Sequence, residues 1–266
     1  MRITHAQTAQ SVKEQLAQGA GRMQQAWRHV SSGRRVERPS DDPAATARIL
    51  SYRSLLSGVE QRRFQVEAGH SLLTTVDTVL GSADLLLMEA QDLALNAGSP
   101  GVSEDDRRSM AEKVQGLIEQ LEDIAETKYD NRALFAAGAA NTSAVDLAGL
   151  DLSAQNVFAT PLAALQDLYD ELSAGDRVSD VTLAALKGGL DALVSYRTQV
   201  GVRVNRLESL TSRLLTMEHD LVDRKSGDEE VDLGQAMIDL KEEETAYQAA
   251  LAASARLMRI SLVDFL

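Results

Sequence analysis

The chain has 266 residues, of which 44% are hydrophobic but only 4% aromatic, so its apolar mass is mainly Leu, Ala, Val and Met. That balance favours helix and argues against a thick core or a deep ligand pocket. A net charge of -13 without a sustained basic stripe disfavours nucleic-acid binding, and the lack of cysteine excludes disulfides and thiolate metal sites.

Along the chain, Ala9, Val12, Leu16, Gly19, Met23, Ala26 and Val30 recur in steps of three and four. This spacing predicts a helix from Ile3 to about Ser31 with a thin, small-residue seam, ended by Ser31-Ser32-Gly33. The next segment, RPSDDPAATARIL, restarts the helix. Pro39 biases Arg38 away from helix, Pro43 suits a first helical turn, and Asp41 or Asp42 can cap the helix beginning near Ala44. An Asp41–Asp42 catalytic pair would need convergent geometry and one raised pKa, whereas capping explains both residues directly.

From Ala44 to about Ala97 the helical pattern is nearly unbroken, a rod of about 80 Å at 1.5 Å per residue. Asn96 to Gly101 turns the chain, and Ser103 caps a helix running to about Lys128. Between Tyr129 and Thr160 the Ala, Gly and Asn content predicts a small loop or hairpin. Helix resumes at Pro161 to Leu172, pauses at SAGD, and runs from Val181 to Arg224. There Leu183, Leu186, Leu190, Leu193, Val200, Val204, Leu207, Leu214 and Leu221 keep a near-heptad register. KSGDEE, residues 225–230, is expected to break it, with the acidic run capping a terminal helix through Leu233, Met237, Leu240, Tyr247, Leu251 and Met258.

The two ends mirror each other in length but not in charge. Residues 1–48 carry +4 and residues 226–266 carry -6. The two terminal helices are therefore expected to pair, with charge helping to set register; two separately solvated helices are the alternative.

Motifs of catalysis or metal binding do not appear. His5, His29, His70 and His219 lack ligand spacing, and no phosphate-cradling glycine loop or nucleophile elbow is present. No run approaches the length of a bilayer span, and the acidic face at Glu242, Glu243 and Glu244 opposes attraction to anionic lipid. The N-terminal stretch MRITHAQTAQSVKEQL lacks the apolar core of a secretory signal, so an exported chain is expected to use another route.

Two segments carry a resemblance: VSSGRRVERPSDDPAATARIL near the start, and DLGQAMIDLKEEETAYQAALAASARLMRISLVDFL at the end. Both resemble the flagellins and hook-associated proteins of the bacterial flagellum. YDNRALFAAG is similar to that family's Tyr-x-Gly-Arg-Tyr-Leu-Phe-x-Gly turn, with Asn131 in a glycine place and Ala133 where an aromatic is common. Flagellins usually read Ala-Lys-Asp-Asp-Ala at the position of Arg38 to Pro43 and finish in Leu-Leu-Arg, not Asp264-Phe265-Leu266. In both respects the chain resembles the branch at the hook–filament junction.

The resemblance implies a mainly α fold of flagellin type: an elongated helical bundle or coiled-coil rod with paired termini and a small irregular or β-hairpin insert. It implies three regions, namely 1–43 with 226–266 as a paired terminal domain, 44–137 with 161–225 as a central rod, and 138–160 as a short insert in place of an outer domain. It also implies a non-enzymatic subunit without cofactor or metal, exported unfolded by the flagellar type III system and assembled as a ring outside the cell. The implied partners are the first hook-associated protein, flagellin, neighbouring copies and an export chaperone at the C-terminal helix, with no nucleic acid or membrane. Candidate contacts are Val12, Leu16, Met23, Trp27, Leu240, Tyr247, Leu251, Met258 and Phe265, which could instead pack within the chain. A short flagellin or a cytoplasmic coiled-coil scaffold is the alternative reading.

Overall fold

The computed structural model describes residues 2–135 and 153–263. Its elements are α1 (Arg2–Ser32), α2 (Pro43–Ala97), α3 (Glu104–Ala125), β1 (Lys128–Tyr129), β2 (Arg132–Ala133), α4 (Ala154–Ala174), α5 (Asp180–Glu229) and α6 (Leu233–Val263). The insert expected at 138–160 lies outside the described residues as far as 152. Two compact units result: a terminal unit of residues 1–59 and 217–266, and a central unit of residues 60–216.

The burial pattern of the long helices explains their pairing. On α5 the buried residues Leu186, Leu193, Val200, Leu207, Leu214 and Leu221 are spaced by seven, and on α2 so are Val59, Val66, Leu73, Leu80, Leu87 and Ala94. A strict seven-residue period is that of a coiled-coil seam. From Val76 onward α2 buries a second stripe, Val76, Ala83, Ala90 and Ala97. Over this stretch α3 and α4 pack together and add Val114, Leu121, Leu165, Leu168 and Leu172 to the core. Where α4 crosses α5, Gly189 lets the backbones approach: a Cβ there would stand 3.1 Å from Pro161 Cα.

By length and composition α2 is apolar enough to cross a membrane, contrary to the expectation that no run is. Leu73, Val76, Leu80, Ala83 and Leu87 of this helix are fully buried inside protein. Its Asp77 and Asp84 accept from Arg197 of α5 at 3.2 and 2.9 Å. Two buried stripes, one more than an amphipathic surface helix carries, contribute to the apolarity, and exposed Leu85, Met88 and Leu95 add to it.

Local chemistry sets most element ends. Ser103 Oγ accepts from the Asp106 N–H and Asp106 accepts from the Ser103 N–H, a capping box; the Ser103 hydroxyl, which donates to Asp106 Oδ2 at 2.6 Å, and then the Ser103 N–H hold the Asp106 carboxyl below its ordinary range. Asp130 and Asn131, at φ 49° and 62°, form a two-residue left-handed turn between β1 and β2. Glu171 accepts from the Ser179 N–H and from the Ser179 and Thr182 hydroxyls at the start of α5. Burial pushes its pKa up, but the bonds from Thr182 and Ser179 outweigh that and lower it.

Two predicted boundaries are corrected. Helix α4 begins at Ala154, not Pro161; the proline sits inside it and is buried. The main-chain bond lost there is offset by packing on Gly189 and by the edge-to-face pair of Phe158 with Phe135, centroids 4.9 Å apart. Helix α5 does not stop at Arg224 but runs through Gly227 to Glu229. Tertiary ion pairs on its last two residues, described below, override the weak helix propensity of Ser226 and Gly227.

Arg107 closes the central unit. It is buried and donates to the carbonyl oxygens of Ala97, Val102 and Gly175 at 3.2, 3.0 and 3.0 Å, binding the ends of α2 and α4 to the start of α3. Arg107→Met leaves those acceptors unpaired and is expected to cost about 3 kcal/mol, measured by urea unfolding followed by circular dichroism.

Candidate functional site

In the terminal unit α1 and α6 run antiparallel. Gly33 O accepts from the Val231 N–H at 3.0 Å, Arg22 donates to Glu243 at 3.1 and 3.2 Å, and Gly19 faces Tyr247, whose Cδ2 lies 3.4 Å from where a Gly19 Cβ would stand. As position falls along α1 it rises along α6. Small residues bring the two backbones close, and the expected charge complementarity is realised in the Arg22–Glu243 pair.

The seam is thin. Val12, Leu16, Met23, Leu240 and Tyr247 are half-buried, Leu251 is exposed, and Trp27 is 60% exposed. The Met258 side chain and Phe265 lie outside the described residues. Across the terminal unit the buried apolar side chains are Val36, Ala45, Ile49, Val59, Leu221 and Ala236, whereas Leu50, Leu55, Met217, Val222, Leu233, Met237 and Ile238 are exposed. No large side chain described as fully buried belongs to it.

At the root of the pair, the connector between α1 and α2 meets the connector between α5 and α6. Gly33, at φ 66°, ends α1 in a left-handed cap and donates to the His29 carbonyl at 3.0 Å. Pro39 occupies the second position of a turn closed by the Asp41 N–H on the Arg38 carbonyl at 2.9 Å. Asp41 Oδ2 accepts from the Arg38 N–H, and Asp42 Oδ1 accepts from the Ala45 N–H, both at 2.9 Å. The expected division of labour is therefore resolved: Asp42 caps α2, Asp41 closes the turn, and Pro43 is the first helical residue. These main-chain bonds, first from Arg38 and from Ala45 respectively, hold both carboxyls below their ordinary range. Asp232 caps α6 by accepting from the Gly234 and Gln235 N–H groups at 2.8 and 3.2 Å.

Sequence reasoning missed the clasp between these connectors. Arg34 and Glu230 form an antiparallel bridge, and the Arg35 N–H donates to the Glu229 carbonyl at 2.8 Å. Arg48 grips Asp228 through two bonds at 2.8 and 2.7 Å, pushing the Asp228 pKa down and that of Arg48 up. The Glu229 side chain, only 5% exposed, receives Arg53 at 2.8 Å and Arg34 at 3.3 Å on one oxygen. A charge pair with one guanidinium 58% exposed, as for Arg22 with Glu243, contributes about 0–1 kcal/mol. Leaving a buried carboxylate unpaired costs several times that, roughly 3 kcal/mol or more. Glu229 thus outweighs any single polar contact along the seam. The opposition of the arginine-rich SSGRRVER to the acidic GDEEVD, two short segments at helix breaks, was the available signal.

The acidic and basic groups of the root are occupied by one another, and among the described residues no group of three His, Asp or Glu side chains could hold a metal ion.

Comparison with known proteins decides the family. The model of the bacterial flagellin N-terminal helical region matches residues 3–140, and that of the C-terminal helical region matches residues 183–266. The chain belongs to the bacterial flagellin family. Among relatives, a flagellin of Halalkalibacterium halodurans is 25% identical over 264 residues, covering 95% of this chain and 94% of that one. Flagellar hook-associated protein 3 of Salmonella typhimurium is 30% identical over 138 residues, covering 48% of this chain and 42% of that protein. The crystal structure of FlgL from Bacillus cereus superposes with a TM-score of 0.57 at 16% identity, over 66% of this chain and 99% of that one, which establishes the shared fold. As a flagellin-family member the protein is a structural, non-enzymatic component of the flagellum, and its mainly α fold with paired terminal helices is that of the family.

The carboxyls of the root make a pH prediction. Asp42 and Asp228 have folded pKa values below the ordinary 3.8. Their contribution to stability is therefore complete above that value and disappears as pH falls through the lower folded values. Between pH 5 and pH 2 the native chain is expected to lose more thermal stability than an Asp42→Asn/Asp228→Asn variant, as read by differential scanning calorimetry.

Proposed function

We propose that the protein is a subunit of the hook–filament junction, exported unfolded and assembled outside the cell as a ring in which α1 and α6 of each copy complete their packing on neighbours. The observation that supports this reading is the unequal core of the two units: the largest fully buried side chains, such as Leu80, Leu121 and Phe158, lie in the central unit, whereas α1 and α6 pair through half-buried residues and leave Trp27, Met237, Ile238 and Leu251 exposed. The 30% identity to a hook-associated protein 3 and the junction-like Arg38 to Pro43 segment point to the same branch. On this reading residues 1–43 with 226–266 form the inner domain and 44–137 with 161–225 the rod, and the insert expected at 138–160 is shorter still, because residues 154–160 belong to α4. The first hook-associated protein lies on one side, flagellin on the other, and a cytoplasmic chaperone holds the C-terminal helix before export. Val12, Leu16, Met23, Trp27, Leu240, Tyr247, Leu251, Met258 and Phe265 are the proposed contacts.

A second reading, a short flagellin that builds the filament itself, is favoured by the nearly full-length match to the Halalkalibacterium halodurans flagellin. Sedimentation of the purified chain separates the two: filaments of unlimited length support the flagellin reading, and their absence, with the protein found on isolated hook structures, supports the junction.

Deleting residues 1–30 or 235–266 is expected to leave a soluble helical central unit that no longer assembles. Normal incorporation of either truncation in a motility or secretion assay overturns the reading. Trp27 is the single tryptophan, so its fluorescence reports on the terminal unit alone. On assembly its emission is expected to shift to the blue and its quenching by acrylamide to fall at least twofold, following loss of water contact.

A further inference from the structure

We propose that Glu229 is a positioning residue that fixes the register of α1 against α6, so that the terminal pair is aligned by its root and not by its seam. The inference rests on the reading of this pair as an assembly surface and says what prepares that surface. Along the seam Gly19, Ala26, Ala236 and the half-buried Leu16, Met23 and Leu240 are small or flexible, and they recur every three or four residues. A slide of one helical turn exchanges one such residue for another, so this surface specifies register weakly. Arg22 and Glu243 add a contact that is largely in water.

The root does not share that degeneracy. Arg34 lies two residues beyond α1, and Glu229 lies four residues before α6. The Glu229 carboxylate Oε1 takes Arg34 and Arg53 together, its main-chain oxygen accepts from the Arg35 N–H, and its Oε2 is buried with no protein partner. Moving α1 by one turn draws Arg34 off that carboxylate and leaves it the ion pair with Arg53 alone. Arg53, on α2, holds the same oxygen and keeps the acid in place while α1 docks. The neighbouring Asp228 is engaged by Arg48 and by Arg35, whose Nη2 donates to the Asp228 carbonyl at 2.9 Å.

The native chain has no cysteine, so paired cysteines report register without background. Three doubly substituted full-length chains carry Arg22→Cys with Asp239→Cys, Glu243→Cys or Tyr247→Cys, and intramolecular disulfide yield is measured on the purified monomer under mild oxidation. With Glu229 present, the 22–243 pair is expected to form at least tenfold faster than either pair displaced by one turn. Introducing Glu229→Gln should reduce that preference below threefold, with the circular dichroism of the central helices unchanged. Arg53→Lys, which keeps the charge, should retain the preference, and Arg53→Met should lose most of it. An undiminished preference in Glu229→Gln, or equal behaviour of the two Arg53 variants, overturns the proposal. Because the assay uses monomer, a chain that assembles normally yet shows no dependence on Glu229 removes this inference alone, and a register-dependent chain that never assembles removes the other.

Discussion

Two helices lying side by side share a single line of contact, and a residue on that line is covered from one direction only. This constraint accounts for the half-burial of Val12, Leu16, Met23, Leu240 and Tyr247 in a pair that is otherwise well matched in charge and direction. A lone pair of about thirty residues each gains too little apolar burial to be rigid by itself. Within the chain its order comes from the stitching at its root, and on the proposed reading neighbouring copies add the rest. Trp27, Leu233, Met237 and Ile238 stay exposed on its open faces.

The central unit escapes the constraint by adding layers. Once α3 and α4 join α2 and α5, side chains such as Leu80, Leu87, Leu121 and Leu168 have neighbours on every side and are fully buried. Polar groups follow the same division. Arg107 is inside the central unit and satisfied three times by carbonyls, and Arg197 spans two aspartates of α2. In the terminal unit the strong polar contacts concentrate at one end, where Glu229 is the buried exception. Stability in the flagellin fold is thus placed in the centre, and the freedom to adapt is placed in the terminal helices.

Most of this was legible in the sequence because periodicity survives without tertiary information. The seven-residue spacing of α5, a cap by Asp41 or Asp42, the cap by Ser103 and the pairing of the termini depend on local chemistry or on charge averaged over a helix, and the glycine-like place of Asn131 came from the family resemblance. The failures occurred where tertiary contact overrides local preference. Pro161 reads as a helix start until the close approach of Gly189 shows that a buried crossing tolerates it inside α4. Ser226 and Gly227 read as a break, but Arg48 and Arg53 reach the next two residues and extend α5 past them. The same distant arginines make Asp228 and Glu229 into a clasp, and no window shorter than 170 residues contains both sides of it. The expectation that no run is apolar enough to span a bilayer failed at α2, where two buried stripes together with exposed Leu85, Met88 and Leu95 raise the apolar content.

A unit that leaves apolar side chains uncovered risks associating too early and in the wrong order. Two features of the chain oppose this. The net charge of -13 gives copies a mutual repulsion that decays within about 8 Å at physiological salt. Uncovered side chains such as Leu50, Leu55, Met217 and Val222 are also spread among acidic and basic neighbours along two helices, instead of forming one continuous greasy face. Weak, scattered contacts of this kind gain strength only when many are satisfied together by a partner of fixed geometry. An aligned terminal pair meets that requirement and a slipped one does not, because a shift of one turn moves every exposed side chain about 5 Å from its place. On the proposed reading of this pair as an assembly surface, register inside one chain is a condition for contact between chains, and the buried Glu229 carboxylate at the root bears on assembly through that register.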